Sequence, residues 1–409
     1  MSKQKVSIPF SLPLLDESVV NEVVDALTNT GWITSGPKVQ QFEKELGEYI
    51  GCDATIAVSS WTTGAMVALR WLGVGPGDEV IVPSYTYCAT ALAVLNVGAT
   101  PVMVDVEEPF HIAIDNIAAA ITDKTKAIIP VDLGGWPCDY AKLLDVLNSD
   151  EAKQKFKPNG RVQEALGRPL IIADAAHSLG AQRDDTQVGM LTDITIFSFH
   201  SVKNLTTGEG GMICLNLPAG FDNAEEQKVI KYLSLNGQTK TALEKSTVGG
   251  WRYDIVDQGF KANMPDLCAA VGLAQIRQYG ENMLPERKRI FQIYNQAFAD
   301  KAWAMLPSMS DQKCSSSLHL YQLRINGIEE EARNTMMRLI AEDGVGVNVH
   351  YVPMPMLTLF KRLGYDIADH PNAFNLYQNE ITLPVYNGLS EEHVQIVADS
   401  VINAHSQVG

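Results

Sequence analysis

Apolar residues in the first half of the chain gather in short runs at 55–58, 79–83, 101–106, 126–131, 170–173 and 194–199, mostly separated by segments of helical length. Buried strands alternating with helices predict an α/β sheet that is largely parallel. Ahead of the first run, Val39, Phe42, Leu46 and Ile50 recur at helical spacing, with Pro37 in the first turn and Gly51 as the stop, which predicts an amphipathic helix leading into the core. Segment 149–168 is polar, charged and interrupted by Pro158 and Gly160. It reads as an exposed elaboration between a helix and a strand.

From about Ala269 the texture changes. A long helical pattern runs to Tyr294, and strand-like runs at 318–325 and 345–352 flank a helix near 330–341. A last helix over 390–404 has Ser390 as its cap and Glu391 and Glu392 in its first turn, where the positive end of the helix dipole favours acids. The expected division is a large α/β domain over 1–268 and a smaller α+β domain over 269–409.

Composition narrows the partners. Forty-eight acidic residues against 32 basic ones give a formal charge of −16, which repels nucleic-acid backbones and anionic lipid. An anionic small molecule is still admitted, because a few aimed N–H groups and one lysine outweigh a distant field. No uninterrupted apolar stretch is long enough to span a membrane, and Pro9, Pro13 and early acids leave no signal-peptide core, so a cytoplasmic protein is expected. Cys52, Cys88, Cys138, Cys214, Cys268 and Cys314 are scattered singly; no metal site is expected from them.

The candidate chemistry sits at strand ends, where open α/β sheets bind ligands. Lys203 follows the run 194–199 and precedes a loop holding Gly208, Gly210 and Gly211. Such a lysine is either a solvated surface residue beside a turn or, partly desolvated, one that can lose its proton near neutral pH and attack an aldehyde. Asp174 ends the apolar run LIIAD and needs a cationic partner there, either an arginine or helix terminus or a protonated pyridine nitrogen. Ser59, Ser60, Trp61, Thr62, Thr63 and Gly64 form a hydroxyl-rich strand-to-helix turn. Such a turn suits a phosphate, though it is also an ordinary capping pattern. The GVGPGD run at 73–78 lacks a dinucleotide-binding register.

Together with GWITSGPKVQQFE, AVSSWTTGAM, GVGPGDEVIVPSYTYCATALAVLNVGATPVMVDV, TKAIIPVD, IIADAAHSLGA, FSFHSVKNLTTGEGGM, NMPDLCAAVGLAQI and VNVHYVP, these residues resemble the DegT/DnrJ/EryC1/StrS family of pyridoxal-phosphate-dependent nucleotide-sugar aminotransferases over nearly the whole chain. The resemblance implies a type I aminotransferase fold and a homodimer with composite sites. It also implies pyridoxal 5'-phosphate as cofactor, an amino-acid donor, usually glutamate, and a keto sugar nucleotide as acceptor. It casts Lys203 as the catalytic lysine that carries the cofactor and moves the proton. Asp174 would hold the pyridine nitrogen, Tyr87 stack on the ring, and His177 lie near the ring's phenolic oxygen. Trp61, Thr62 and Ser198 would contact the phosphate, joined by Asn263 from the other subunit, and His350 would lie near the substrate.

Trp61 departs from the small residue the family commonly has there; its indole either turns away from the cofactor or covers part of the sugar pocket. Asp132 either faces the pocket or forms a turn, and His200 is assigned a structural role. Within the family the motifs look most like the branch aminating C4 of UDP-linked 4-keto sugars. The alternatives are a dehydratase of the same family, which carries histidine where this chain has Lys203, and a non-catalytic cofactor-binding regulator, for which no DNA-binding segment is evident.

Overall fold

The computed structural model describes residues 7–408. The Pro37–Ile50 helix forms where expected, with Pro37 in its first turn and Gly51 left-handed at its end. Its free amides are met from far along the chain: Asp266 accepts hydrogen bonds from the Gly36, Lys38 and Val39 amides at 2.7, 3.1 and 3.0 Å. This ties the first core helix to the Asp266–Gln278 helix packed beside it.

Seven strands build the central sheet, in the spatial order Thr55–Val58, Gly211–Leu215, Ile194–Ser198, Leu170–Asp174, Thr125–Ile128, Glu79–Pro83 and Thr100–Val104. The last five are parallel. Gly211–Leu215 runs antiparallel between its two neighbours. Both faces are covered, one by a cluster around Trp61, Ala65, Leu69, Ile172 and Ile196, the other by clusters that include Phe42, Phe197, Ile128 and Ile171. Covering both faces explains why these strands read as continuous apolar runs.

The small sheet is antiparallel, in the order Ala304–Met305, Tyr321–Ile325 and Glu380–Leu383. Helices Leu284–Phe298, Glu330–Glu342 and Glu391–Val408 contribute to its core. Ser390 caps the last helix by accepting the His393 amide at 3.2 Å.

Three expectations change. The run 345–352 is not a strand; among the described residues it makes the isolated bridges Ile8 to Val345 and Asn348 to Thr382. Its Val349 and Tyr351 pack instead onto a cluster containing Tyr85, Phe110, Val131, Leu376 and Tyr377, so its alternation serves packing against other elements rather than a sheet. Gly211, read as loop, opens the antiparallel strand Gly211–Leu215. Segment 149–168 folds as two short helices, Asp150–Lys155 and Arg161–Leu166, seated by buried Ala152, Phe156 and Val162. The Asp266–Gln278 helix adds Ala269, Leu273 and Ile276 to the large core, which extends to Met283, whereas the small core takes up the chain from Ile290.

Candidate active site

The carboxyl ends of the parallel strands open on a cavity of about 470 Å³ lined by Trp61, Thr62, Tyr87, Asp174, His177, Ser198, Lys203 and His350, among others. Eight of the nine residues singled out from the sequence thus meet in one place. The ninth, Asn263, does not line the cavity. It lies beside the end of the first strand, bridged to Val58, and its amide donates to Ser35 Oγ at 2.6 Å.

The floor begins at the turn after Thr55–Val58. Ser60 caps the Trp61–Leu72 helix by accepting the Thr63 amide at 3.1 Å. Trp61 and Thr62 hold the first two helical positions, whose amides have no partner within a helix. Gly211 lets the neighbouring strand approach this turn closely, since a Cβ there would sit 2.9 Å from the Trp61 nitrogen and 2.8 Å from the Phe197 carbonyl. Trp61 itself is buried in the core beneath the turn and reaches the cavity wall, and among the described residues its Nε1 has no hydrogen-bond partner.

Asp174 is buried at its strand end, where Thr90 Oγ1 donates to Oδ2 at 2.9 Å and the Ala176 amide to Oδ1 at 3.2 Å. Burial pushes its carboxyl up to about 7, against the pull of these two donors and of Lys203. Burial also pushes the Lys203 ammonium down, to about 8, with Asp174 opposing. The two groups therefore share a cavity in which neither is comfortably charged without the other. The backbone around Lys203 is pinned from several sides. Lys203 N–H donates to the His200 carbonyl, Asn204 donates to the Ser317 carbonyl at 2.8 Å, and Gln275 accepts the Thr206 amide at 2.8 Å. Among the described residues the Lys203 ammonium has no hydrogen-bond or ion-pair partner.

His177 is gripped at both nitrogens. The Gly134 amide donates to Nδ1 at 3.2 Å, which puts the ring proton on Nε2, 3.1 Å from the Tyr351 hydroxyl. Burial keeps this ring neutral, well below the usual histidine range. Behind it lies His319, 4.3 Å away between ring centres, whose Nδ1 donates to Asn204 at 2.7 Å.

Asp132, left open between pocket and turn, is wholly buried away from the cavity lining, accepting from the Cys138 amide, Tyr140 and Ser178. His200, read as structural, lines the cavity with Glu209 3.7 Å away. Thr90, Tyr351 and His319 were missed, since each becomes a site residue only through a distant partner.

A buried carboxyl, a lysine without a partner, a neutral histidine and a helix start with open amides are the donor and acceptor set that a pyridine aldehyde phosphate requires. The comparisons with known proteins agree in kind. The model of the DegT/DnrJ/EryC1/StrS aminotransferase family matches residues 14–153 and 164–402, leaving out only the middle of the inserted helical segment between them. The spore coat polysaccharide biosynthesis protein SpsC of Bacillus subtilis is 35% identical over 408 residues, 98% of this chain and 98% of that protein. Among solved structures, the PMP form of Spr1654 from Streptococcus pneumoniae, described as a sugar aminotransferase, superimposes with a TM-score of 0.94 at 40% identity, covering 98% of this chain and 100% of that one. PseC from Helicobacter pylori shares the fold at 23% identity, with a TM-score of 0.84 over 98% of this chain and 100% of that one. This chain, with its type I aminotransferase fold, belongs to the DegT/DnrJ/EryC1/StrS aminotransferase family.

Proposed function

We propose that the protein is a pyridoxal-phosphate-dependent aminotransferase that moves an amino group from an amino acid, glutamate in the first instance, to a keto sugar nucleotide, a UDP-linked 4-keto-6-deoxy sugar or a close relative. The observation that carries this reading is that Lys203 and Asp174 line one cavity together with the Trp61–Thr62 helix start. When bound, pyridoxal phosphate supplies the electron sink that lets the amino group change carbon. Lys203, held near neutrality, is the base that takes the proton from the donor's α-carbon and returns it. Asp174 sits where it can hold the pyridine nitrogen protonated. The Trp61 and Thr62 amides at the helix start and Ser198 bind the phosphate, Tyr87 stacks on the ring face, His177 orients the phenolic oxygen, and His350 faces the acceptor.

Asn263 stands outside its own cavity and is read as the residue that reaches the other subunit's phosphate in a homodimer. The sugar acceptor is supported by Spr1654, described as a sugar aminotransferase, and by SpsC, named for polysaccharide biosynthesis. No described helix is long and apolar enough to cross a membrane and all six cysteines are unpaired; the reading is of a cytoplasmic enzyme.

Borohydride reduction of the purified yellow protein followed by peptide mass analysis is expected to find pyridoxyl on Lys203. UDP- and dTDP-linked 4-keto and 3-keto sugars are then added singly to the protein in its amino form. Recovery of the yellow absorbance identifies the acceptor. A pyridoxyl group on another lysine, or no recovery with any sugar nucleotide while keto acids restore the colour, would overturn the assignment.

A further inference from the structure

Behind the cavity wall, the Glu380–Leu383 strand carries a carboxyl with no obvious reason to be there. Glu380 is wholly buried and forms no ion pair among the described residues. The nearby Arg333 guanidinium is occupied by the carbonyls of Tyr377 and of Glu380 itself, at 2.9 and 2.8 Å. Such a carboxyl is expensive to keep. Both its oxygens are turned to one residue of the site: Oε2 accepts the His350 amide at 3.0 Å, and Oε1 is hydrogen-bonded to Thr382 Oγ1, which lies 2.9 Å from His350 Nδ1. The His350 ring is stacked on Phe10 at 5.4 Å, set edge-on to Tyr351 at 4.8 Å, and its carbonyl is held by Gln322 at 3.0 Å. The ring is held in place, while its contact with the Thr382 hydroxyl is compatible with either tautomer. Its Nε2 has no protein partner among the described residues and is left for the cavity.

We propose that Glu380 is a positioning residue of this site: through Thr382 it selects which nitrogen of His350 carries the proton, and so whether the cavity meets a hydrogen-bond donor or an acceptor at His350 Nε2. Oε2 is committed to the His350 amide, so only Oε1 can carry a proton. With that proton present, Glu380 donates to Thr382, Thr382 donates to Nδ1, and Nε2–H is offered to the cavity. On ionisation the Glu380 O–H bond breaks as a Thr382 O–H bond forms. The former Thr382 proton passes to Nδ1, and the Nε2 proton leaves to cavity water, so that one proton is lost in all and Nε2 becomes an acceptor. Burial pushes Glu380 up to about 8 and His350 down to about 3, so the ring stays neutral and only its tautomer changes.

The groups packed about the carboxyl agree with this range. They are Arg333 on the Glu330–Glu342 helix, Arg324 opposite Glu380 on the neighbouring strand with its guanidinium on Glu108, and the phenols of Tyr85 and Tyr351, both raised by burial and therefore neutral. At neutral pH the site then presents Nε2–H and suits a carbonyl or phosphate oxygen. On the proposed function, which this step rests on, that oxygen belongs to the keto sugar nucleotide.

The test uses the holoenzyme labelled with ¹⁵N-histidine, the His350 signals being assigned by their loss in H350N. Between about pH 6.5 and about pH 9.5, the wild-type Nε2 signal is expected to change from the protonated to the unprotonated type while Nδ1 does the reverse. E380Q, whose amide must donate to Thr382 because its oxygen is held by the His350 amide, is expected to stay protonated at Nε2 throughout. T382V is expected to lose the pH dependence. Over the same range the wild-type KM for the keto acceptor should rise about tenfold with a smaller change in kcat, and E380Q should stay flat. An identical, pH-independent His350 tautomer in wild type and E380Q overturns the relay, even if amino transfer proceeds. A protein that moves no amino group but shows the tautomer change refutes the function and leaves the relay standing.

Discussion

The Thr90 hydroxyl donates to Asp174 Oδ2 at 2.9 Å across 84 positions of sequence. Among the described residues it is one of two donors to a carboxyl that burial pushes towards the neutral form. T90V removes a hydrogen bond that favours the ionised state, so the Asp174 pKa rises further. The acid limb of the pH–rate profile should move to higher pH and kcat at neutral pH should fall about tenfold. A pH–rate profile superimposable on wild type would show that Thr90 merely fills space.

The raised Asp174 carboxyl has a consequence for stability. Its folded pKa of about 7 lies above the ordinary carboxylate value. Its contribution is therefore fully present below about pH 4 and is lost as pH rises through about 7. Lys203 has the opposite sign: its contribution is lost as pH falls through about 8. Removing the coupled ammonium with K203M isolates the first effect. K203M/D174N should then gain stability over K203M, by on the order of a few kcal/mol, between about pH 5 and about pH 8. Urea unfolding of cofactor-free protein at the two pH values measures the difference.

Gly211 tests the close approach under the helix start. A methyl group there meets the Phe197 carbonyl and the Trp61 nitrogen inside contact distance. G211A should lose roughly 1–3 kcal/mol of stability and bind pyridoxal phosphate at least about tenfold more weakly, because the shifted turn is the proposed phosphate seat. Thermal unfolding and cofactor titration read the two effects separately.

Asn263 tests the composite site. N263A and K203A should each be inactive or nearly so as pure dimers. Mixed dimers recombine one intact Lys203 with the partner's intact Asn263. Refolded in equal amounts, the two variants should recover about a quarter of wild-type activity. Recovery no greater than the sum of the parents would assign Asn263 to its own chain.

The core of the site was legible because strand ends in a parallel sheet line up: Asp174, Ser198, Lys203 and the Ser60–Thr63 turn all follow apolar runs, and adjacency of the strands brings them together. The Gly211–Leu215 strand was not, since three glycines in four residues read as a loop and nothing local marks an antiparallel insertion. Tyr351 reaches His177 across 174 positions and His319 reaches Asn204 across 115. Such meetings depend on how distant parts of the chain pack, which no local pattern encodes. The 345–352 run shows the same limit, because alternation signals one buried face without saying whether a sheet or other elements bury it.

The two grips on His177 come from distant parts of the chain, the Gly134 amide from just beyond the Thr125–Ile128 strand and the Tyr351 phenol from the run 345–352. The imidazole therefore works as a clasp between halves of the molecule. A fragment comprising the central sheet alone would retain Lys203 and Asp174 yet leave that clasp open, so possession of this lysine would not amount to possession of a pocket.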